Sequence, residues 1–168
     1  MTVNRLKYYC LQLFPFFLIC GFVFFKSLSF NLFGFSQSYL TNVYAVIFYC
    51  AVFNATVLNI FTVFFLGILT DILLDIPFGL SPFLYSFVFF IGYFNRRFLR
   101  QTSFNKQWFV FNGVITCIFL FGLGFLKFLY GGIPHIQYLI VEWLLLMCCY
   151  PLVAAVVGYV NQRMGRYI

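Results

Sequence analysis

Acidic side chains are almost missing: Asp71, Asp75 and Glu142 are the only three in 168 residues. Charged residues of all kinds make up 8%, against roughly a quarter in soluble domains, so the chain lacks the polar surface that folding in water requires. Histidine is missing apart from His135, and no second His or Cys stands near enough to suggest a metal site. No G-x-S-x-G, H-E-x-x-H or glycine-rich phosphate loop occurs, so neither hydrolysis nor group transfer is legible. A membrane aspartyl protease needs two aspartates from separate elements, whereas Asp71 and Asp75 lie four apart on one. The expectation is a protein that is not an enzyme and carries no cofactor.

What is present is apolar: 64% of residues are hydrophobic and 25% aromatic. That composition identifies an all-α integral membrane protein forming a single transmembrane domain over residues 1–168. Apolar runs predict six spans, at about 8–25, 39–53, 57–75, 80–95, 108–127 and 137–160. The first, behind Arg5 and Lys7, is too long and too rich in Phe for a cleaved signal and reads as a retained span. As one helix, Tyr39 to Asp75 would reach about 54 Å, well beyond the hydrocarbon core of about 30 Å, so it must fold back near Asn54, Thr56 and Asn59. The fourth span is short, reaching about 21–24 Å at 1.5 Å per residue, which suggests bilayer thinning or shielding by neighbours.

Charge parity supports six spans with both termini cytoplasmic. That topology places Arg5, Lys7, Arg96, Arg97, Arg100, Lys106, Arg163 and Arg166 inside, and only Lys26 and Lys127 outside; five spans would reverse the bias. A net charge of +7 in a soluble protein would raise nucleic acid as a partner. Here the basic residues fall between apolar segments, and lipid headgroups and orientation account for them, so no nucleic acid is expected. The strongest cluster, Arg96, Arg97, Arg100 and Lys106 with Phe98 and Phe104 interleaved, is expected to contact anionic lipids or a cytoplasmic partner. Cys10, Cys20, Cys50, Cys117, Cys148 and Cys149 show no C-x-x-C spacing and read as small buried hydrophobes. Gly122 and Gly124, or Ala154, Ala155 and Gly158, could let helices approach closely.

In this topology all three acids fall in the outer half, on the same side as Lys127 and His135. A carboxylate within a membrane span costs about 2.5–3.5 kcal/mol on insertion scales, so it should face protein or water. Asp71 and Asp75, at i and i+4, share a helix face and repel unless a cation or hydrogen-bond donors intervene. Asp71 is expected to turn into the bundle and meet Lys127 or backbone groups, and Asp75 to lie nearer water and cap the helix end. Glu142 reads as a polar contact between helices or an interface residue.

The stretch Gly67-Ile-Leu-Thr-Asp71-Ile-Leu-Leu-Asp75-Ile-Pro77-Phe-Gly79-Leu-Ser-Pro82 resembles the G-x-x-x-D-x7-G signature of the rod shape-determining protein MreD family. Chain length, a short basic loop after the fourth span, Tyr150-Pro151 in the last span and the basic tail at Arg163 and Arg166 fit the same family. The resemblance implies a non-enzymatic scaffold in the bacterial inner membrane that supports cell shape and peptidoglycan synthesis within the elongation complex. It implies association with MreC and, through it, with MreB, RodA and a penicillin-binding transpeptidase. Gly67, Asp71 and Gly79 carry over as motif residues, while Asp75 departs from the pattern, a small or polar residue being more usual there.

The residues themselves fit such a motif. Gly67 permits close helix approach, Gly79 and Pro77 shape a tight turn, and Pro82 can open a helix in its first turn. Chains of this family are also similar in fold to the substrate-binding component of energy-coupling-factor vitamin transporters, which makes a small-solute module the competing expectation. Against it, the first span is rich in Phe, with Gly21 its one small residue near the end.

Overall fold

The computed structural model describes residues 17, 19–21, 42–53, 58–75, 77–130 and 136–165. Every regular element among them is helical: α1 (Val43–Phe53), α2 (Ile60–Leu74), α3 (Leu80–Phe94), α4 (Arg96–Gln101), α5 (Phe104–Tyr130) and α6 (Ile136–Gly165). Two of these helices are long and apolar enough to cross a membrane, over Phe104–Phe125 in α5 and Leu139–Tyr159 in α6. Most of the expected first span, with Arg5, Lys7, Cys10 and Lys26, lies outside the described residues, as do His135 and Arg166.

Helix α1 has no polar face, and Val43 through Val52 are all buried. A helix apolar all round belongs at the centre of a bundle, and α1 packs against α3, α4, α5 and α6. Its Phe48 meets Phe111 of α5 and Tyr150 of α6, and the latter two rings stack with centroids 4.2 Å apart. Tyr44 meets Tyr85 of α3 edge-on at 5.1 Å. Aromatic excess thus fills the places where helices cross.

Pairings along the helices set their directions. Tyr44 lies by Tyr85, and Ala51 by Gly92, so α1 and α3 run parallel. Phe48 lies by Tyr150, and Tyr49 by Gly158, so α6 runs parallel to both. Phe111 pairs with Tyr150 and Phe119 with Trp143, so α5 is antiparallel to α6. Helix α2 returns antiparallel on α3 as a hairpin. One end of the bundle therefore carries Arg96, Arg97, Arg100 and Lys106, and all three acids fall toward the other.

The long run from Tyr39 turns between α1 and α2. Asn59 opens α2 with a capping box in which Thr62 Oγ1 accepts the Asn59 N–H at 3.0 Å. The connection expected over residues 96–107 contains more helix than hydropathy indicates: α4 occupies Arg96–Gln101, and α5 begins at Phe104. Gln107 explains this, because its Nε2 donates to the carbonyl of Leu99 at 2.9 Å and ties the two helices together. The cysteines differ from the buried reading. Cys50 is buried, but Cys117 and Cys148 are exposed on helix surfaces, while Cys20 and Cys149 are half-buried.

Candidate structural hub at the α2–α3 turn

Helix α3 starts without a side-chain cap of its own, since its N-cap residue is Gly79. An α-helix leaves its first N–H groups without intrahelical acceptors. Asp71, one turn before the end of α2, supplies two. Its Oδ2 accepts the Gly79 N–H at 2.7 Å and its Oδ1 accepts the Ser81 N–H at 3.1 Å. The Leu80 N–H bonds to the Pro77 carbonyl, and Pro82 has no N–H to satisfy. From Phe83, which bonds back to Gly79, the helical ladder proceeds. Every donor at this helix start is accounted for.

Asp71 is 2% exposed and Ser81 1%. The carboxylate lies at the N-terminal end of α3. Both oxygens are engaged by main-chain donors of the chain itself, so the group is built into the turn.

The rest of the motif serves the same turn. A Cβ on Gly67 would lie 2.4 Å from the Cα and 2.5 Å from the N of Pro82, distances at which backbone would have to move. Only glycine at 67 lets α3 come close enough for its first turn to reach Asp71. Gly79 has φ +98°, a left-handed conformation that side chains disfavour, yet no atom lies within 4 Å of where its Cβ would be. Gly67 is therefore required by contact and Gly79 by dihedral angle.

Asp75 does not share the face of Asp71. Helix α2 ends at Leu74, and Asp75 is its C-cap, left-handed at φ 51° and ψ 40°, with its N–H bonded to the Asp71 carbonyl. Its side chain is exposed, so the two carboxylates diverge rather than pair. Nor does Lys127 meet Asp71: it is exposed in the last turn of α5. Glu142 is half-buried on α6, outside the turn.

At the opposite end, Arg100 reaches from α4 to the end of α1. Its Nε donates to the Val52 carbonyl at 2.6 Å and its Nη2 to the Phe53 carbonyl at 2.9 Å. These are the last two carbonyls of α1 among the described residues, so Arg100 ties that end of the helix to α4. Arg96 instead stacks over the ring of Tyr93, 4.5 Å from its centroid. Arg97 and Lys106 are exposed.

A third repair lies in α6. Pro151 sits inside that helix and has no N–H to donate to the carbonyl of Met147, four residues back. Trp108 Nε1 of α5 donates to that same carbonyl at 3.1 Å. Nothing in the sequence pairs these residues, although a proline within an apolar helix announces an orphaned carbonyl. Of the small residues proposed for helix approach, Gly158 touches the Tyr49 hydroxyl, whereas Gly124 has nothing within 4 Å of its Cβ position.

Among the described residues no cluster of three His, Cys, Asp or Glu side chains could hold a metal ion. Comparison with family models, with curated proteins and with solved structures finds no match.

Proposed function

We propose that this chain is a non-enzymatic multi-pass scaffold of the bacterial inner membrane, acting in cell-shape maintenance and peptidoglycan synthesis in the manner of the rod shape-determining MreD family. The observation that carries this reading is the Asp71 turn. Each residue of the G-x-x-x-D-x7-G stretch has a separate structural task in locking α2 against α3, and the one buried acid among them is occupied by main-chain donors. A motif used in this way fits a protein whose product is a surface. Alternating helix directions from α1 to α6, α4 aside, and the basic residues gathered at one end support a six-span arrangement with that end cytoplasmic.

In this reading the partners are MreC and, through it, MreB, RodA and a penicillin-binding transpeptidase. Affinity capture of the tagged chain from its native membrane in mild detergent tests the proposal. Recovery of MreC and cell-wall synthases is expected. Recovery of an ATPase together with a transmembrane coupling subunit would instead assign the chain to a small-solute transporter.

A further inference from the structure

The exposed face of α3 carries Phe83, Phe87, Phe90 and Phe94, which at spacings of four, three and four form one helical stripe. The stripe does not stop where α3 does. Asn95 closes α3, its N–H bonding to Ile91, and opens α4, its carbonyl accepting the Leu99 N–H, so Arg96 and Arg97 follow directly at the end of the stripe. Arg97 is exposed, and Arg96 beside it is held over the Tyr93 ring, leaving guanidinium donors free. No acidic side chain lies at this end of the molecule to neutralise them.

The upper part of the stripe borders an apolar cleft between α3 and α5 of about 230 Å³, lined by Phe83, Leu84, Phe87, Cys117, Ile118 and Phe121. From Phe94 back to Phe83, which lines this cleft, is about 16 Å along α3 at 1.5 Å per residue. That is half of a hydrocarbon core of about 30 Å, the depth at which a lipid tail ends. Large aromatic side chains, with the half-buried Ser86 the one small residue at their edge, make a poor seat for a partner helix, which needs small residues to approach.

We propose that this surface is a binding site for an anionic phospholipid of the cytoplasmic leaflet, with its phosphate at Arg96 and Arg97, an acyl chain along Phe94 and Phe90, and the chain end in the Cys117 cleft. Arg100 takes no part, being bonded to the end of α1. The site rests on the membrane reading of the preceding subsection, and the test keeps the two apart. Carbonate washing of native membranes comes first: release of the chain would overturn the membrane reading, and its retention leaves the lipid site to be decided on its own.

The detergent-purified protein is then offered equal amounts of dioleoyl phosphatidylglycerol and dioleoyl phosphatidylcholine, and retained lipid is counted by native mass spectrometry. Retention of phosphatidylglycerol is expected to exceed that of phosphatidylcholine about tenfold. Arg96→Gln combined with Arg97→Gln should abolish the preference, with helical circular dichroism unchanged, and the corresponding double Lys variant should keep it. Cys117→Phe fills the cleft and should lower retention of the dioleoyl lipid while sparing dioctanoyl phosphatidylglycerol. Equal retention of the two headgroups, or a preference that survives the double Gln variant, would overturn the site. A photocrosslinker at position 90 in native membranes should label lipid, and a protein adduct there would assign the stripe to a partner chain instead.

Discussion

The Cα of Pro82 stands where the side chain of residue 67 would begin: a Cβ on Gly67 would fall 2.4 Å from it. The obstacle is main chain, which cannot swing aside as a flexible side chain can. Gly67→Ala must therefore push the first turn of α3 away from Asp71, at a cost of about 1–3 kcal/mol from overpacking alone, plus whatever the two Asp71 bonds lose. Gly79→Ala meets no atom and bears only the left-handed penalty of about 1–2 kcal/mol. Unfolding in mixed micelles should rank Gly67→Ala as the more damaging of the two, and the reverse order would remove the close-approach argument.

The two aspartates four residues apart should respond to substitution with opposite signs. Asp71→Ala leaves the buried Ser81 N–H without its acceptor, at about 1–3 kcal/mol, and the part-buried Gly79 N–H without its own, at a smaller cost because water can reach it. Asp71→Asn keeps one acceptor oxygen and should lose about half as much. Asp75 places a negative charge at the C-terminal, negative end of the α2 dipole, in a conformation that Asn also tolerates. Asp75→Asn should therefore be neutral or stabilise by about 0.3–1 kcal/mol, read as a shift in the unfolding midpoint. Equal losses at both positions would mean that the carboxylates act as a pair.

Much of this turn was legible because glycine, proline and a lone buried acid carry their reasons locally. Gly67, Asp71, Gly79 and Pro82 could each be assigned a task from residue type and spacing. Helix α2 ends at Leu74 with Asp75 as its C-cap, and Ile76, as the residue before Pro77, is biased away from helical geometry. The early start of α5 escaped because hydropathy registers only the apolar part of a helix, and Asn105, Lys106 and Gln107 in its first turn are polar. Arg100 and Trp108 were opaque for a different reason. Their acceptors lie 48 and 39 residues away in sequence, and only the packed bundle brings them within reach.

Arg100 should behave as a structural tie and not as one more surface cation. Arg100→Gln removes charge-assisted bonds to the Val52 and Phe53 carbonyls, and because the site is partly solvated the cost should be about 0.5–2 kcal/mol. Arg100→Lys should not restore it, since an ammonium cannot present the planar pair of donors that spans two successive carbonyls. Hydrogen exchange at the C-terminal end of α1 should rise in both variants. Exchange confined to α4 would show that α1 does not depend on this tie.

Trp108 and Pro151 form a compensating pair that a double-mutant cycle can expose. In the native chain the Met147 carbonyl has lost its helical donor to Pro151 and gained Trp108 Nε1 in its place. Trp108→Phe keeps an aromatic ring but withdraws the donor, leaving a carbonyl without a partner in an apolar setting, at about 1–3 kcal/mol. Pro151→Ala restores a main-chain N–H at the right position, so in that background the carbonyl no longer needs the indole. Trp108→Phe should then cost less by about 1 kcal/mol or more, a coupling measured by unfolding all four proteins under one condition. Additive effects would show that Trp108 contributes through ring packing against α6 alone and that the proline gap is filled by other means.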